Sequence, residues 1–528
     1  MARRFSPNPL CAVFGLAAML ASGACFAGVM YRTVAMEGDL APGASGGAVY
    51  SDLGGLSPPM IGSGGQVAFR AQTAQGAGVW VENAAGLLQL AALAGDVAPG
   101  AGGGAIFTNF DALIPVDNNG GVAFVADTSN VFQYGSWYRG GGSPTEGVVS
   151  GLPAGGLPGK TWAGLDLPAC NGGRVVTRAY IQNGPPWEGI WMGTGGSVTP
   201  VAVAGDGAPG VTAGTFDEFS FPAVNAGGNV AMFAWLTRAG DITRDNDAGL
   251  WVDSGSGLGL LARTGSAAPG AGANQVFDSL TVDEIFAINA GGDVAFSGEL
   301  RGDGVSSDNA EAVWRGSPGS LSLVVRAGQQ APGAPAGVVF NCFDDPALAE
   351  DGTAALWAWT VGPDAAWENK ASVWTYDAAG QGTLVALEGR QGPGLPAGVV
   401  FSSIHTPEIS AGGQVVFRSY LAGPGVGSAN DEALWATTPD GELVLVAREG
   451  DLFEVADGDW RRIKWIHITE ASLGDDGRGR IFSDAGDLAF ALTFEDNSAG
   501  IFVATVPEPA SVALLAVGAM VLAFRRRR

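Results

Sequence analysis

Closely spaced carboxylate and amide side chains are the residues of this sequence best suited to chemistry. Asp and Asn oxygens beside a glycine are the ligands that Ca²⁺ takes in loops. Such segments recur as "DITRDNDAG" (241–249), "GDGVSSDNAEA" (302–312), "SANDEA" (428–433) and "FEDNSAG" (494–500). They predict calcium sites with the following candidate ligands: Asp245, Asp247, Asp308, Asn309, Asn430 and Asp431.

A second interpretation of these acidic segments needs no metal. Asp and Asn favour turns, and their charge keeps a surface soluble. None of the segments matches the twelve-residue EF-hand loop. Both interpretations therefore stay open, with "DNDAG" (245–249) as the best calcium candidate.

Motifs for catalysis are absent from the sequence. The two histidines, His405 in "SSIHTPEI" and His467 in "KWIHITE", each lie on a predicted strand without a companion at metal spacing. No Ser-His-Asp arrangement, G-x-S-x-G, P-loop or Cys-pair motif occurs. The glycine-rich turns are not phosphate cradles, because no helix follows them. A carboxylate pair for glycoside hydrolysis stays open, since 52 acidic residues make some pair inevitable.

The segment "DGDWRRIKWIHITE" (457–470) has clustered basic residues in an otherwise acidic chain. Arg461, Arg462 and Lys464 stand beside Trp460 and Trp465. Aromatic rings next to polar groups can stack sugars or hold an anionic polymer. We predict Trp460 and Trp465 as a ligand-binding pair, and a strand with one basic solvent face is the alternative.

Net charge limits the partners of this chain. The formal charge is −25 with a pI near 4.3, and six arginines lie at the extreme ends, so removing both ends would leave −25 − 6 = −31. Phosphate contacts need clustered Lys and Arg, so nucleic acid and anionic membrane surfaces are excluded as partners. Cations and neutral polysaccharides remain compatible.

A tandem repeat must position these residues. The octamer "NAGGDVAF" (289–296) reads as a tight glycine turn that runs into a strand. The predicted unit has a strand ending in an Ala-Pro-Gly turn, an aromatic second strand, the "VAF" third strand, and a fourth strand with Trp. Near-copies of the octamer are "GGQVAF" (64–69), "GGVAF" (120–124), "GGNVAMF" (227–233), "GGQVVF" (412–417) and "AGDLAF" (485–490).

Counted by one tryptophan per unit, the repeat occurs about eight times, at a spacing of roughly 54 to 67 residues. The markers are Trp80, Trp137, Trp191, Trp251, Trp314, Trp374 and Trp435, with Phe502 in the last unit. Four short strands per unit cannot bury both faces alone, so the units must stack with the indoles between them. We predict an all-β fold, a β-propeller-like ring of about eight four-stranded repeats over residues 28–506. Seven blades is the nearest alternative, because the third and sixth units, "CNGGRVVT" (170–177) and "EDGTAAL" (350–356), are degenerate. Tandem β-sandwiches come third.

The N-terminal 27 residues predict a secretory signal peptide with its helix. Arg3 and Arg4 precede an apolar run, and small residues lead to a cleavage point between Ala27 and Gly28. Export permits disulfides. Two cysteines remain after cleavage, Cys170 and Cys342, and we expect two buried thiols, with a bridge left open.

The C-terminal segment, residues 507–528, combines Pro507, Glu508 and Pro509 with an apolar stretch and four arginines. The stretch predicts a short transmembrane helix with a positive-inside stop. This arrangement resembles the PEP-CTERM sorting signal of Gram-negative bacteria that make exopolysaccharide. The resemblance implies that an exosortase-type membrane protease recognises the motif and removes the anchor. A plain tail anchor is the alternative.

The repeat resembles a bacterial "choice-of-anchor" tandem family with an N-x-x-G-x-x-A-F signature. Asn289, Gly292, Ala295 and Phe296 match it fully. Asn225 matches too, with Met232 inserted before Phe233, and Gly62, Asp117, Cys170 or Ser410 replaces Asn elsewhere. The family has no known enzymatic activity, so the resemblance bears on fold and location.

Together these features predict a non-enzymatic, exported repeat protein of the cell envelope or extracellular matrix. After sorting it would act as a structural or binding module, linked to exopolysaccharide. The alternative is an extracellular propeller enzyme acting on glycans. An enzyme would concentrate perturbed carboxylates in one central pocket, whereas a binding module would spread its features around the rim.

Overall fold

The computed structural model describes residues 28–53, 57–194, 196–255, 257–280, 286–363, 370–469 and 481–506. Apart from one 3-10 turn at Ser45–Gly47, these residues form strands, turns and bends, and none of them builds a helix that is long and apolar enough to cross a membrane. The predicted signal peptide (1–27) and sorting segment (507–528) lie outside the described residues. The strands form eight antiparallel sheets, one for each predicted repeat.

Each sheet is one blade, with an inner strand that is usually split in two, then a second, third and outer strand. Blade 1 has β2 (Tyr50–Asp52), β3 (Met60–Ile61), β4 (Val67–Thr73), β5 (Gly76–Glu82) and β6 (Leu88–Leu93). Blade 2 has β7 (Phe107–Phe110), β8 (Val122–Thr128), β9 (Tyr134–Arg139) and β10 (Thr145–Val149). Blade 3 has β11 (Thr161–Leu165), β12 (Ala169–Asn171), β13 (Arg174–Gln182), β14 (Glu188–Gly193) and β15 (Val198–Val203). Blade 4 has β16 (Phe216–Phe219), β17 (Ala223–Val224), β18 (Val230–Leu236), β19 (Ala248–Asp253) and β20 (Leu258–Arg263).

The second half of the ring repeats the same order. Blade 5 has β21 (Gln275–Leu280), β22 (Ala287–Ile288), β23 (Val294–Gly302), β24 (Glu311–Gly316) and β25 (Ser322–Arg326). Blade 6 has β26 (Val339–Phe343), β27 (Ala347–Leu348), β28 (Ala354–Val361), β29 (Lys370–Tyr376) and β30 (Gly382–Leu387). Blade 7 has β31 (Val400–Ile404), β32 (Glu408–Ile409), β33 (Val415–Ala422), β34 (Glu432–Thr437) and β35 (Leu443–Arg448). Blade 8 has β36 (Leu452–Ala456), β37 (Asp459–His467), β38 (Asp487–Phe494), β39 (Ala499–Thr505) and β1 (Met30–Met36).

The ring closes through β1, which supplies the outer strand of blade 8. It pairs antiparallel with β39, from Met30 opposite Thr505 to Met36 opposite Gly500. Closure of this kind leaves only short, protected sheet edges. The chain is therefore an eight-bladed propeller, as predicted, and the degenerate third and sixth units are complete blades.

A buried indole on the third strand fixes the outer part of each of blades 1 to 5. The Trp251 N–H donates to the Pro209 carbonyl (2.9 Å), and its ring meets Phe216 of the inner strand edge-on at 5.0 Å. The same bond to the Ala-Pro-Gly segment or its equivalent recurs at the other four blades: Trp80 to Pro42, Trp137 to Pro99, Trp191 to Gly155 and Trp314 to Pro269. The tryptophan strand and the Ala-Pro-Gly segment, two motifs of the repeat, are thus joined by a hydrogen bond.

The glycine turn joins neighbouring blades around the axis. The buried side chain of Asn289 accepts the Asp293 N–H (3.0 Å), which closes the turn, and Gly292 adopts φ +83°, which favours glycine. The Asn225 amide donates across to the Asn289 carbonyl of the next blade (2.9 Å). The signature Asn is therefore an inter-blade structural residue.

Three details of the predicted unit are wrong. The tryptophan strand is the third of its blade, because the strand that ends in Ala-Pro-Gly is the outer strand of the preceding blade. Met232 is not inserted: it pairs with Trp251 as Phe296 pairs with Trp314, so it replaces the Phe.

The third correction concerns blade 3. Asn171 holds the Asn position and Cys170 lies one place earlier, because the turn is one residue shorter. Cys170 and Cys342 lie in different blades and form no disulfide with each other. Cys170 is buried as expected, but Cys342 is only half-buried.

Candidate ligand-binding face

The two ends of the ring differ in their connections. The turns between inner and second strands emerge at one end, which we call the turn face. The loops between second and third strands emerge at the other end, which we call the loop face. All four acidic segments of the sequence lie in loops of the loop face.

Three of these acidic loops share one hydrogen-bond pattern, centred on an Asn. In the loop of blade 5, the Asn309 side chain accepts the Ser306 N–H (2.9 Å) and donates to the Gly304 carbonyl (3.1 Å). Arg326 of the outer strand donates to the Asn309 carbonyl (2.5 Å). The equivalent Asn and Arg pairs are Asn246 with Arg263 and Asn430 with Arg448. The Asn amides therefore shape the loops themselves.

The structure does not bring the candidate calcium ligands together. They lie on blades 4, 5 and 7. Asp247 is buried and paired with Arg238 (2.5 Å), while Asp245 and Asp308 are exposed and Asp431 is half-buried. Within the described ranges, no group of three or more His, Cys, Asp or Glu residues is placed to hold a metal ion. Calcium binding by these residues stays a prediction.

The histidines lie on neighbouring blades. His467 bonds Thr493 (Nε2 to Oγ1, 2.9 Å), and burial together with nearby Arg418 lowers its pKa. The ring of His405 lies 5.6 Å from that of Tyr420. Neither has metal-ligand surroundings in the part of the chain that the structure describes.

Trp460 and Trp465 both lie on β37 and are half exposed, at 56% and 50%. The Lys464 ammonium stands over the Trp465 ring at 4.1 Å. Arg461 pairs with Asp459 (2.8 Å) and Asp496 (3.7 Å), and Arg462 pairs with Glu495 (3.8 Å). Because acidic neighbours neutralise these arginines, the segment offers accessible indoles rather than a free cationic patch.

A second set of aromatic residues, not predicted from the sequence, lies near the loop face. Tyr180, Trp235, Trp359 and Tyr420 occupy one equivalent position on the second strands of blades 3, 4, 6 and 7. We call them the platform residues. Each follows the "VAF" segment on its strand and lies two residues after a side chain that points to the same side of the sheet. The sequence signal for this position was therefore the alternation of side chains between the two sides of the strand after "VAF".

Acidic groups with raised pKa are dispersed around the ring. Burial raises the pKa of Glu188 and Glu311, although each carboxylate accepts a backbone N–H of the next blade, from Phe219 and Phe343 respectively (both 2.7 Å). These acids therefore join blades. A third such acid, Glu449, lies on blade 7. Asp166, whose pKa burial also raises, meets Glu188 at Arg178 on blade 3, whereas Glu311 and Glu449 lie on other blades.

Glu449 gives a prediction for pH dependence. It is 4% exposed, and burial followed by repulsion from Glu432 raises its pKa from about 4.5 to about 7. The folded state therefore favours the protonated carboxyl. The stability that Glu449 adds to the folded state is fully present below pH 4.5 and is lost as the pH rises through 7. We expect Glu449→Gln to raise the melting temperature at pH 8 and to leave it unchanged at pH 4.

Glu388 is the control for that measurement. It occupies the equivalent position on blade 6 but pairs with Lys370 (3.5 Å), so Glu388→Gln removes an attraction and should not stabilise at any pH. If both substitutions changed the melting temperature equally at pH 8, the assignment of a raised pKa to Glu449 would be contradicted.

Comparison with known proteins gives two family matches. The Family of unknown function (DUF7453) matches residues 27–98, 75–314 and 258–513. The PEP-CTERM protein-sorting motif matches residues 505–528, which confirms the predicted sorting signal. The "choice-of-anchor" type of the repeat stays a prediction. No curated protein matches the chain.

Several solved structures are similar in outline. An oligogalacturonate lyase in complex with manganese is similar over 92% of this chain and 98% of its own, at 11% identity and a TM-score of 0.36. The Dos1 propeller is similar over 86% and 93%, at 9% identity and 0.35. A Penicillium chrysogenum alpha-L-arabinanase complexed with arabinobiose is similar over 62% and 89%, at 11% identity and 0.26. These scores carry no functional argument, and the propeller assignment rests on strand pairing.

Proposed function

Because the chain belongs to the Family of unknown function (DUF7453) and ends in a PEP-CTERM motif, we propose that it is an exported polysaccharide-binding module of the cell surface or extracellular matrix. The motif implies export, sorting to the surface and processing by an exosortase-type membrane protein. A non-enzymatic role and the polysaccharide ligand are our proposal.

The exposure of Trp460 and Trp465 carries this proposal. The indoles that mark blades 1 to 7 are fully buried, whereas these two on blade 8 are half exposed. A single exposed tryptophan such as Trp187 needs no explanation, but exposed indoles grouped on one strand are the kind of apolar patch that marks a binding surface. An indole face beside hydroxyl-binding groups suits the apolar face and polar rim of a sugar ring. The strongly acidic chain favours a neutral polysaccharide over a polyanion.

The second candidate is a propeller enzyme that acts on extracellular glycans. Asp166 and Glu188 form one close pair on blade 3, but Arg178 pairs with both, and the other carboxyls, Glu311 and Glu449, lie on blades 5 and 7. This arrangement favours binding over catalysis, because catalysis needs its groups around one substrate bond. A direct assay for cleavage distinguishes the two.

The proposal is tested by binding of the processed, exported protein to a polysaccharide panel. The panel holds cellulose, xylan, galactomannan, dextran, chitosan and polygalacturonate, each with and without calcium, and reducing-sugar release is measured in parallel. We expect binding to a neutral polymer without sugar release. The double variant Trp460→Ala/Trp465→Ala should weaken co-sedimentation about tenfold or more.

Leu87→Ala is the control, because this apolar side chain is 65% exposed but lies between β5 and β6, at the turn face. It should bind as the wild type does. A double variant that binds normally would remove Trp460 and Trp465 from the binding surface. Release of reducing sugars would establish the enzyme alternative.

A further inference from the structure

The four platform residues share one place in the strand ladder. Each pairs with the residue that lies three positions before the blade's buried tryptophan. The pairs are Tyr180 with Glu188, Trp235 with Ala248, Trp359 with Ala371, and Tyr420 with Glu432. This position lies near the loop-face end of the second strand. The rings of Tyr180, Trp235 and Trp359 are half-buried, and Tyr420 is 37% exposed.

The side chain two residues earlier braces three of the platforms on the same side of the sheet. The Arg178 guanidinium stacks on Tyr180 at 5.0 Å. Phe233 meets Trp235 edge-on at 4.7 Å, and the Trp357 and Trp359 rings lie 5.8 Å apart. The braces restrict ring rotation before any ligand arrives, and a pre-ordered surface loses less entropy on binding.

The platform of blade 6 shows the local chemistry most fully. The Trp357 N–H donates to the Ile404 carbonyl of blade 7 (2.8 Å), which fixes the brace between the blades. Asp344 accepts a hydrogen bond from Thr406 across the same gap. The Trp359 N–H, in contrast, reaches no acceptor in the described part of the chain. The gap between blades 6 and 7 therefore offers a ring face, a donor and a carboxylate.

Carboxylates also stand beside the other three platforms. Asp166 accepts from the Tyr180 hydroxyl (3.1 Å), Glu218 is the ladder partner of Trp235, and Glu432 is the partner of Tyr420. A ring face binds the C–H face of a sugar, and carboxylates accept its hydroxyls strongly. Asp166 pairs with Arg178 and Glu432 with Arg418, so repulsion of polyanions comes from the net charge of −25 rather than from these carboxylates alone. The ligand class that fits all four places is an uncharged saccharide.

We propose that the platform residues are subsites of one binding track, which follows the loop face from blade 3 to blade 7, past Glu299 at the equivalent position of blade 5, and holds a single uncharged polysaccharide chain. The proposal rests on the proposed function and extends it. Binding at several linked subsites makes the affinity for the polysaccharide depend on its chain length. If only the tryptophans on β37 bound the polysaccharide, the affinity would stop rising once the fragment was a few sugar units long.

The test uses the neutral polysaccharide that binds most tightly in the panel above, together with its size-fractionated hydrolysis fragments. We expect the affinity of the processed protein to rise steadily from disaccharide to long fragments. Trp359→Ala and Tyr420→Ala should each weaken long-fragment binding about threefold to tenfold. Trp359→Phe should keep most of the affinity because it keeps a ring, and the turn-face variant Leu87→Ala should keep all of it. The melting temperature of each variant should equal that of the wild type, which excludes misfolding as the cause of weaker binding.

The outcomes separate the two proposals. If the wild type binds polysaccharide but its affinity does not depend on fragment length, the track is wrong and the proposed function stands. The same conclusion follows if both alanine variants bind long fragments normally. If the wild type binds no polysaccharide in the panel, both proposals fail.

Discussion

Trp251→Ala should destabilise the propeller by about 3–5 kcal/mol, which is the usual cost of emptying a large buried aromatic site. The Trp251 side chain is fully buried against Phe216, and its loss also leaves the Pro209 carbonyl without its donor. Trp251→Phe keeps a ring but not the N–H, so it should lie between the wild type and the alanine variant. The midpoint of urea unfolding measures all three.

Trp187→Ala is the control for this series, since it removes the same side chain from a site that is 62% exposed. We expect a change within about 0.5 kcal/mol. If Trp251→Ala and Trp187→Ala had equal unfolding midpoints, the indole between blades would not be a core element of the fold.

Deletion of residues 30–36 should have the second large effect, because it removes β1 and opens the ring. The third strand of blade 8, β39, then becomes a sheet edge whose backbone groups have no partner. Ala35 leaves the core, and the contact of the Tyr31 ring with Phe453 at 5.0 Å is lost. We expect a large fall in melting temperature and aggregation during the melt.

A peptide of residues 28–37 provides the control for this deletion. It can add to the open edge of β39 as the missing strand does, so millimolar peptide should recover part of the lost stability. A truncated protein that melts at the temperature of the wild type would show that the ring does not close through β1.

The repeat architecture could be predicted because its signals are local. Glycine turns such as Gly292 need positive φ, and a periodic tryptophan needs burial, so spacing alone indicated eight stacked sheets. Closure by β1 could not be predicted, because "MYRTVAM" carries no distinctive pattern and its partner β39 lies more than 460 residues away. Long-range pairing leaves no trace in local composition.

The candidate site was predicted only in part. Exposed Trp460 and Trp465 followed from their basic neighbours, but Trp359 and Tyr420 could not be separated from core aromatics until the ladder fixed which side they face. Asn309 remains a predicted metal ligand, because turn-forming and metal-binding Asn side chains occur in the same kind of sequence. Only the hydrogen bonds show that its amide closes the loop on itself.

Binding of polysaccharide through the loop face is the central claim, and hydrogen exchange with and without bound polymer tests it most directly. Protection should appear at the loop-face ends of the second strands in blades 3, 4, 6 and 7 and along β37. The turns of the opposite face, such as residues 289–293, should exchange as in the free protein. Protection confined to those turns, or no protection at saturating polymer, would contradict the claim.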